Sequence, residues 1–197
     1  MHVRDAVDAR RSIRQFLDEP VADETIRGLL ERAARAPSGG NVQPWRIYVI
    51  NGDTMARFRS LVADRPPSSG EYDIYPPSLW EPYRTNRFDI GEQMYATLGI
   101  GRDDKEGRMR QFAHNQDFFG APAALFCFID RGMGPPQWSD LGMFLQTFML
   151  LAQEAGLDTC AQEFWSVHHE FVREFVGAPD EELLFCGMSI GHADDTA

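Results

Sequence analysis

The 197-residue chain carries a formal charge of −11 and is 43% hydrophobic, which is enough apolar content for one domain with a buried core. The acidic charge argues against nucleic acids and anionic membrane surfaces as partners, because both attract a basic surface. No apolar run approaches the roughly 20 residues that span a bilayer. The first 14 residues are too polar for a signal peptide. We therefore expect a cytoplasmic protein.

The hydrophobic pattern predicts helices and strands that alternate along the chain, which favours an α+β sandwich around a central sheet. We expect Asp23 and Asp53 to cap the second and third helices. The long apolar helix that begins at Ser139 or Asp140 should be buried on several sides or form a dimer interface. The predicted helices cover about 3–9, 23–35, 53–63, 87–98, 103–115, 139–155 and 168–176, and the predicted strands 47–50, 123–129, 159–164 and 183–190.

Residues 65–82 differ from the rest of the chain, because five prolines are interleaved there with Tyr72, Tyr75 and Trp80. A structureless stretch of this length is typical of a lid, a binding loop or an arm on a neighbouring molecule. We expect residues 65–118 to form a loop and two helices over the active site of a single domain that spans 1–197.

Three features with possible chemistry favour plain structural roles. The cysteines Cys127, Cys160 and Cys186 lie far apart among apolar residues, as buried free thiols do, and no metal-ligand spacing is present. Gly187-x-Ser189-x-Gly191 matches the nucleophile elbow of serine hydrolases, but only six residues follow it, too few for an acid and a histidine. His168-His169-Glu170 is best explained as a solvated helix start.

Two motifs carry the functional prediction. Arg10-Arg11-Ser12-Ile13-Arg14-Gln15-Phe16 places three arginines and a hydroxyl within five residues, which suggests a bound anion such as phosphate. Residues 36–45, Ala-Pro-Ser-Gly-Gly-Asn-Val-Gln-Pro-Trp, form a turn of small residues that a ligand could approach closely, just before a strand.

In this order and spacing, the two motifs resemble those of the nitroreductase family of FMN-dependent oxidoreductases. The resemblance continues at Gly120-Ala121-Pro122, Asp140-Leu141-Gly142 and Gly187-Met188-Ser189-Ile190-Gly191, and it is weakest over residues 65–118. It implies an α/β/α sandwich with a mainly antiparallel sheet and an intertwined homodimer.

The resemblance also implies which residues bind FMN. Arg10, Arg11, Ser12 and Arg14 would hold the phosphate, ribityl chain and pyrimidine edge. Pro37, Ser38, Gly39 and Asn41 would reach the flavin from the second subunit. Gln162, Glu163 and Phe164 lie where family members aim backbone N–H groups at flavin N5 and O4. After Gly191, relatives usually carry a basic tail that completes the phosphate site; here Asp194 and Asp195 follow, and without such a tail we expect weaker FMN binding.

The implied mechanism is ping-pong: NADH or NADPH reduces FMN and leaves, and a small nitroaromatic or quinone-like compound then accepts the electrons. Arg84, Arg87 and Phe118 are the candidate substrate residues, with either arginine available for a substrate carboxylate. No catalytic side chain is expected, because the flavin performs the chemistry. Alternatives are an FMN-binding protein with little turnover that serves in storage or sensing, and a same-fold enone reductase or dehalogenase.

Overall fold

The central sheet of the structure, a computed structural model that describes residues 1–194, contains four antiparallel strands. The order across the sheet is β1-β2-β4-β3, so β1 and β3 form its edges. The strands are β1 (Arg46–Asn51), β2 (Ala123–Asp130), β3 (Asp158–Gln162) and β4 (Glu182–Gly191).

Helices cover both faces of this sheet. They are α1 (Val3–Ala9), α2 (Asp23–Ala33), α3 (Gly52–Val62), α4 (Tyr83–Thr97), α5 (Lys105–Ala113), α6 (Pro135–Glu154) and α7 (His169–Val176). Short 3₁₀ helices span Gly39–Asn41, His114–Gly120 and Glu163–His168.

Two hydrophobic cores, one on each face of the sheet, make the three layers. Alternate residues of β2 point to opposite faces, as in any strand, and all but its last residue are buried. Leu125 and Cys127 pack against α2 and α6, whereas Phe126 and Phe128 pack against α3 and α7. The predicted α/β/α sandwich with an antiparallel sheet is therefore confirmed.

Several helix starts differ from the prediction. The expected cap Asp23 is instead the first residue of α2, and Ala22 lies at the N-cap without a side-chain hydrogen bond. Asn51, not Asp53, caps α3, because its side-chain oxygen accepts the N–H of Gly52 at 2.9 Å. The apolar helix α6 begins at Pro135, four residues before Ser139, because proline is favoured in the first turn, where its missing N–H costs nothing. The earlier start adds a turn that carries Trp138 onto the sheet.

The first part of the proline-rich stretch is anchored to β4. Strand β3 pairs only with the second half of β4, from Gly187 onward, and leaves an edge free. Residues 68–72 occupy that edge: a Glu71 carboxylate oxygen accepts the N–H of Leu184 at 3.4 Å, and the Tyr72 hydroxyl donates to the Phe185 carbonyl. This segment is thus part of the sheet layer.

Helices α4 and α5 form a hairpin that projects from the fold. Arg108 on α5 bonds both carboxylate oxygens of Glu92 on α4, at 2.6 and 3.1 Å. No residue of α4 is buried, and Tyr83, Phe88 and Ile90 are 54%, 49% and 64% exposed. An exposed apolar helix surface of this kind usually binds a ligand or a partner.

Candidate functional site

The arginine-rich segment lies along the free edge of β3. Ser12 forms a parallel bridge with Thr159, and the N–H of Ile13 donates to the Thr159 carbonyl at 3.1 Å. Arg11 and Arg14 are exposed and Arg10 is half-buried. None of the three pairs with a carboxylate within residues 1–194. Guanidinium groups without a carboxylate partner in this part of the chain are the kind of group that binds anions in proteins.

A turn that can hold a ring follows at the other end of β3. The strand ends at Gln162, and the 3₁₀ helix starts at Glu163. The first N–H groups of a helix have no partner inside it, so they are free to bond a ligand. The Phe164 ring packs edge-on against Phe112 of α5 with 5.6 Å between centroids, and burial raises the pKa of the Glu163 carboxyl.

The side chain of Gln162 does not face this turn. It is 3% exposed and bonds Asn115 and Ser189 inside the protein. Only the backbone of Gln162 is left for a cofactor. Ser189 has no exposed surface and lies within β4, so the structure excludes it as a hydrolytic nucleophile.

The Pro37–Asn41 loop lies at the N-terminal end of α6. The buried carboxylate of Asp140 accepts the N–H of Gly39 at 3.3 Å, and the Ser38 hydroxyl accepts the N–H of Gln43 at 3.0 Å. Gly40 has φ +58°, which glycine adopts without strain. Asn41 is exposed, and its Oδ1 accepts a hydrogen bond from the Gln43 side chain at 3.1 Å. These hydrogen bonds fix the conformation of the loop, and none of them involves Arg10, Arg11 or Arg14.

The two groups of predicted FMN-binding residues, the Pro37–Asn41 loop and the arginine-rich segment, lie towards opposite ends of α6. The Gly39 loop contacts Asp140, whereas the amino group of Met1, just before α1, pairs with Glu154 at 3.7 Å. The distance along the helix axis between Asp140 and Glu154 is about 21 Å at 1.5 Å per residue. Grooves of about 400 Å³ beside β1 and 210 Å³ beside α1 contain none of the predicted site residues.

The predicted substrate residues are placed differently from one another. Arg84 pairs with Glu81 at 2.7 Å, and the Arg87 guanidinium lies 4.2 Å from the centre of the Tyr75 ring. Both are exposed on α4. Phe118 is fully buried and stacks on Trp165 at 4.5 Å. The prediction that Phe118 lines the substrate site is therefore wrong: its large apolar ring completes the core instead.

The ionic network around Glu71 was not predicted from the sequence. The Glu71 side chain is 8% exposed and contacts Arg173 at 2.6 Å, His169 at 3.4 Å and Arg131. His169 is buried, which corrects the expectation of a solvated helix start. The partners of Glu71 are 60 to 102 positions away in the chain, and no local sequence pattern indicates such a network.

Comparisons with known proteins identify the family of this chain. The model of the "Nitroreductase family" matches residues 7–192. The chain is 38% identical to a nitrobenzene nitroreductase of Ectopseudomonas oleovorans, with 98% of this chain and 88% of that protein covered. It is 37% identical to a 4-nitrobenzoate reductase of Pseudomonas putida, with 97% and 85% covered.

A solved structure also shows similarity to a nitroreductase. The FMN- and NADPH-dependent nitroreductase NfnB from sphigopyxis sp. strain HMH superimposes with a TM-score of 0.95 at 46% identity, with 100% of this chain and 91% of that chain covered. The α/β/α fold is therefore the one that nitroreductases share. The chain belongs to the nitroreductase family.

Two further observations concern the described part of the chain. Within residues 1–194, no helix is both long and apolar enough to cross a bilayer. Across the same residues, no group of three or more His, Cys, Asp or Glu side chains is arranged to hold a metal ion. The three cysteines are free and buried. Asp195 of the acidic C-terminal sequence lies outside the described residues.

Proposed function

We propose that the protein is an FMN-dependent oxidoreductase that uses NADH or NADPH to reduce nitroaromatic compounds by a ping-pong mechanism. The observation that carries the proposal is the arrangement along β3. Arg10, Arg11 and Arg14 lie beside the start of the strand, and the Glu163–Phe164 turn lies at its end. The four residue steps from Thr159 to Glu163 span about 13 Å.

This arrangement fits the chemistry of FMN. The cofactor carries a phosphate at one end of a five-carbon chain and an aromatic ring at the other. The arginines supply permanent positive charge and planar donors for the phosphate. The free N–H groups after Gln162 would bond the ring edge and stabilise negative charge on it. Bound FMN would supply hydride transfer, and the protein would supply position and exclude water.

The substrate side of the site would be formed by aromatic residues. The rings of Phe112 and Phe164 meet beside the turn, and Phe112 is 59% exposed. A flat nitroarene ring would be covered by such side chains. The names of the relatives, nitrobenzene nitroreductase and 4-nitrobenzoate reductase, support this substrate class.

A homodimer is part of the proposal. In one chain the Gly39 loop and the Ser12 segment lie towards opposite ends of α6, so a loop from a second copy would complete each flavin site. The unburied helix α4 is a further apolar surface for that contact. Obligate interfaces are apolar in the same way.

A cytoplasmic location is also part of the proposal. Free thiols persist in the reducing cytoplasm, where a nicotinamide donor is available.

Anaerobic titration with NADPH tests the function. We expect the purified protein to be yellow, to bleach when NADPH is added and to regain its colour with nitrobenzene or 4-nitrobenzoate. Tight FMN binding without steady-state turnover would favour a storage or sensing role. A colourless protein that takes up no added FMN would refute the proposal.

Arg14→Ala tests the anion site. Loss of one charge-assisted contact to a phosphate should weaken FMN binding about ten- to a hundredfold. The affinity is measured by flavin fluorescence at low and high salt, with the exposed Arg110→Ala on α5 as control. Equal affinities of Arg14→Ala and the control would place the phosphate elsewhere.

Arg84 and Arg87 are retained as candidates for a substrate carboxylate. The kinetics of Arg84→Ala and Arg87→Ala with 4-nitrobenzoate, compared with uncharged nitrobenzene, measure this role. A KM that rises for the charged substrate alone would support it, and unchanged kinetics with both would exclude it.

A further inference from the structure

The buried residues Ser189 and Gln162 and the half-buried Asn115 form a hydrogen-bond network next to the proposed flavin site. Ser189 Oγ donates to Gln162 Oε1 at 2.8 Å, and Gln162 Nε2 donates to the Asn115 carbonyl oxygen at 2.9 Å and to Asn115 Oδ1 at 3.2 Å. The orientation of the amide is fixed, because a carbonyl oxygen can only accept a hydrogen bond. Ser189 has no exposed surface, and Gln162 is 3% exposed.

The network joins three separate parts of the chain. Ser189 lies on β4, Gln162 ends β3, and Asn115 follows α5. The Asn115 side chain also donates to the carbonyl oxygen of Phe112 at 2.9 Å. Phe112 in turn packs on Phe164, two residues after Gln162. The network therefore fixes the end of the α4–α5 hairpin relative to the turn at the end of β3.

The surrounding glycines of Gly187-x-Ser189-x-Gly191 have structural reasons too. A Cβ at Gly187 would lie 2.3 Å from Trp165 Cδ1, and one at Gly191 would lie 2.8 Å from Pro122. No real Cβ tolerates such distances to a packed ring. The motif thus lets Trp165 pack on β4 while Ser189 bonds Gln162.

We propose that Gln162 is a positioning residue that sets the spacing between Phe112 and Phe164, and so determines how well a flat nitroarene binds. The inference rests on the proposed function. Gln162 acts through its side chain on the walls of the site, without touching the substrate. A neutral amide suits the task, because a carboxylate at this position would face the Asn115 carbonyl and repel it.

Gln162→Glu tests this role through pH. When protonated, the new carboxyl reproduces the amide: its O–H donates to the Asn115 carbonyl and its C=O accepts from Ser189. Burial raises the pKa of such a carboxyl, so the change of state falls in the measurable range. At pH 5.5 we expect kcat/KM for nitrobenzene within about twofold of wild type, falling about tenfold or more by pH 8.5, mainly through KM.

Two further variants serve as comparisons for Gln162→Glu. Gln162→Met has a similar shape but no donor, so its KM should be raised at both pH values. Tyr48→Phe removes one hydrogen bond, to Glu182 at 2.9 Å, on β1, about 14 Å away across the sheet. The Tyr48→Phe control should lower stability without any pH-dependent change in KM. A Gln162→Glu pH profile parallel to that of wild type would overturn the proposal.

Hydrogen exchange gives a readout that does not depend on the cofactor. Protection factors of amides in residues 112–118 and 166–168 are compared at the two pH values in FMN-free protein, because the first three N–H groups of the Glu163–His168 helix have no partner inside it. We expect Gln162→Glu to lose protection in both segments at high pH only. Equal protection at both pH values would overturn the positioning role. A wild type that does not oxidise NADPH with nitrobenzene would refute the proposed function, and hydrogen exchange would still decide on the network.

Discussion

The Glu71 network makes a strong prediction about stability. Glu71 lies at the start of the proline-rich stretch, with its carboxylate held by Arg173, Arg131 and His169. Glu71→Gln keeps the shape of the side chain and removes its charge. Arg173 is then left nearly buried, at 15% exposure, without a counter-ion.

The loss in the free energy of unfolding of Glu71→Gln follows from how deeply its arginine partners are buried. Removal of one member of a buried ion pair costs about 3–5 kcal/mol. Arg131 is 39% exposed and therefore partly screened by solvent, so we take the lower value of about 3 kcal/mol. For a chain of this size the loss corresponds to a fall in Tm of about 6–12 °C.

The pH dependence gives a second check. Burial opposes the ionisation of Glu71, but hydrogen bonds from Arg131 and Arg173 outweigh it and lower the pKa of the carboxyl. A lowered pKa in the folded state stabilises the protein above the unfolded pKa, and this stability is lost as pH falls through the folded pKa. The difference in stability between wild type and Glu71→Gln should be full at pH 7 and shrink below about pH 4.

Thermal unfolding by circular dichroism measures both effects, and chymotrypsin probes the loop directly, because it cleaves after exposed aromatic residues such as Tyr72. The matched control is Glu81→Gln, which removes the exposed partner of Arg84 and should leave Tm unchanged. If Glu71→Gln unfolds at the temperature of this control, or resists chymotrypsin as well as wild type does, the network does not anchor the loop.

Two further predictions concern the core and the turn at the end of β3. Phe118→Ala should cost about 3–5 kcal/mol in urea unfolding, because the ring is fully buried against Trp165; a loss below about 1 kcal/mol would mean that Phe118 is not a core residue. Glu163 is exposed as a residue, but partial burial of its carboxyl raises the pKa, and a raised pKa in the folded state favours folding at low pH and opposes it as pH rises through that pKa. Glu163→Gln should therefore raise Tm at pH 8 and leave it unchanged at pH 4; an increase at both would implicate another cause.

The layers of the fold could be predicted because each depends on a local pattern. The continuous apolar run of β2 and the apolar face of α2 are visible in the sequence, and the structure bears out both elements. The start of α6 was missed because its apolar pattern begins only after Pro135 and Pro136. The pairing of Ser12 with Thr159 was also out of reach, since 147 positions separate the two residues.

Residue types give a clearer signal for an anion site than for an aromatic wall. Three arginines in an acidic chain are conspicuous, whereas Phe118 and Phe112 lie six residues apart in one aromatic segment and the sequence does not separate them. The structure does: Phe118 is fully buried and Phe112 is 59% exposed. Phe118 has φ +58°, an unfavourable conformation for a bulky residue that turns its ring into the core.

The two buried polar networks explain how an exposed hairpin keeps a defined place. Glu71 fixes the chain before α4, and Gln162 fixes it after α5 through Asn115. Between these points no residue of α4 is buried. Substitutions on α4 can therefore change which ring or partner is bound at little cost in folding free energy. Substitutions at either network alter folding and binding together, because an unsatisfied buried polar group remains. Specificity can thus vary on α4 while the proposed flavin-binding edge of β3 stays the same.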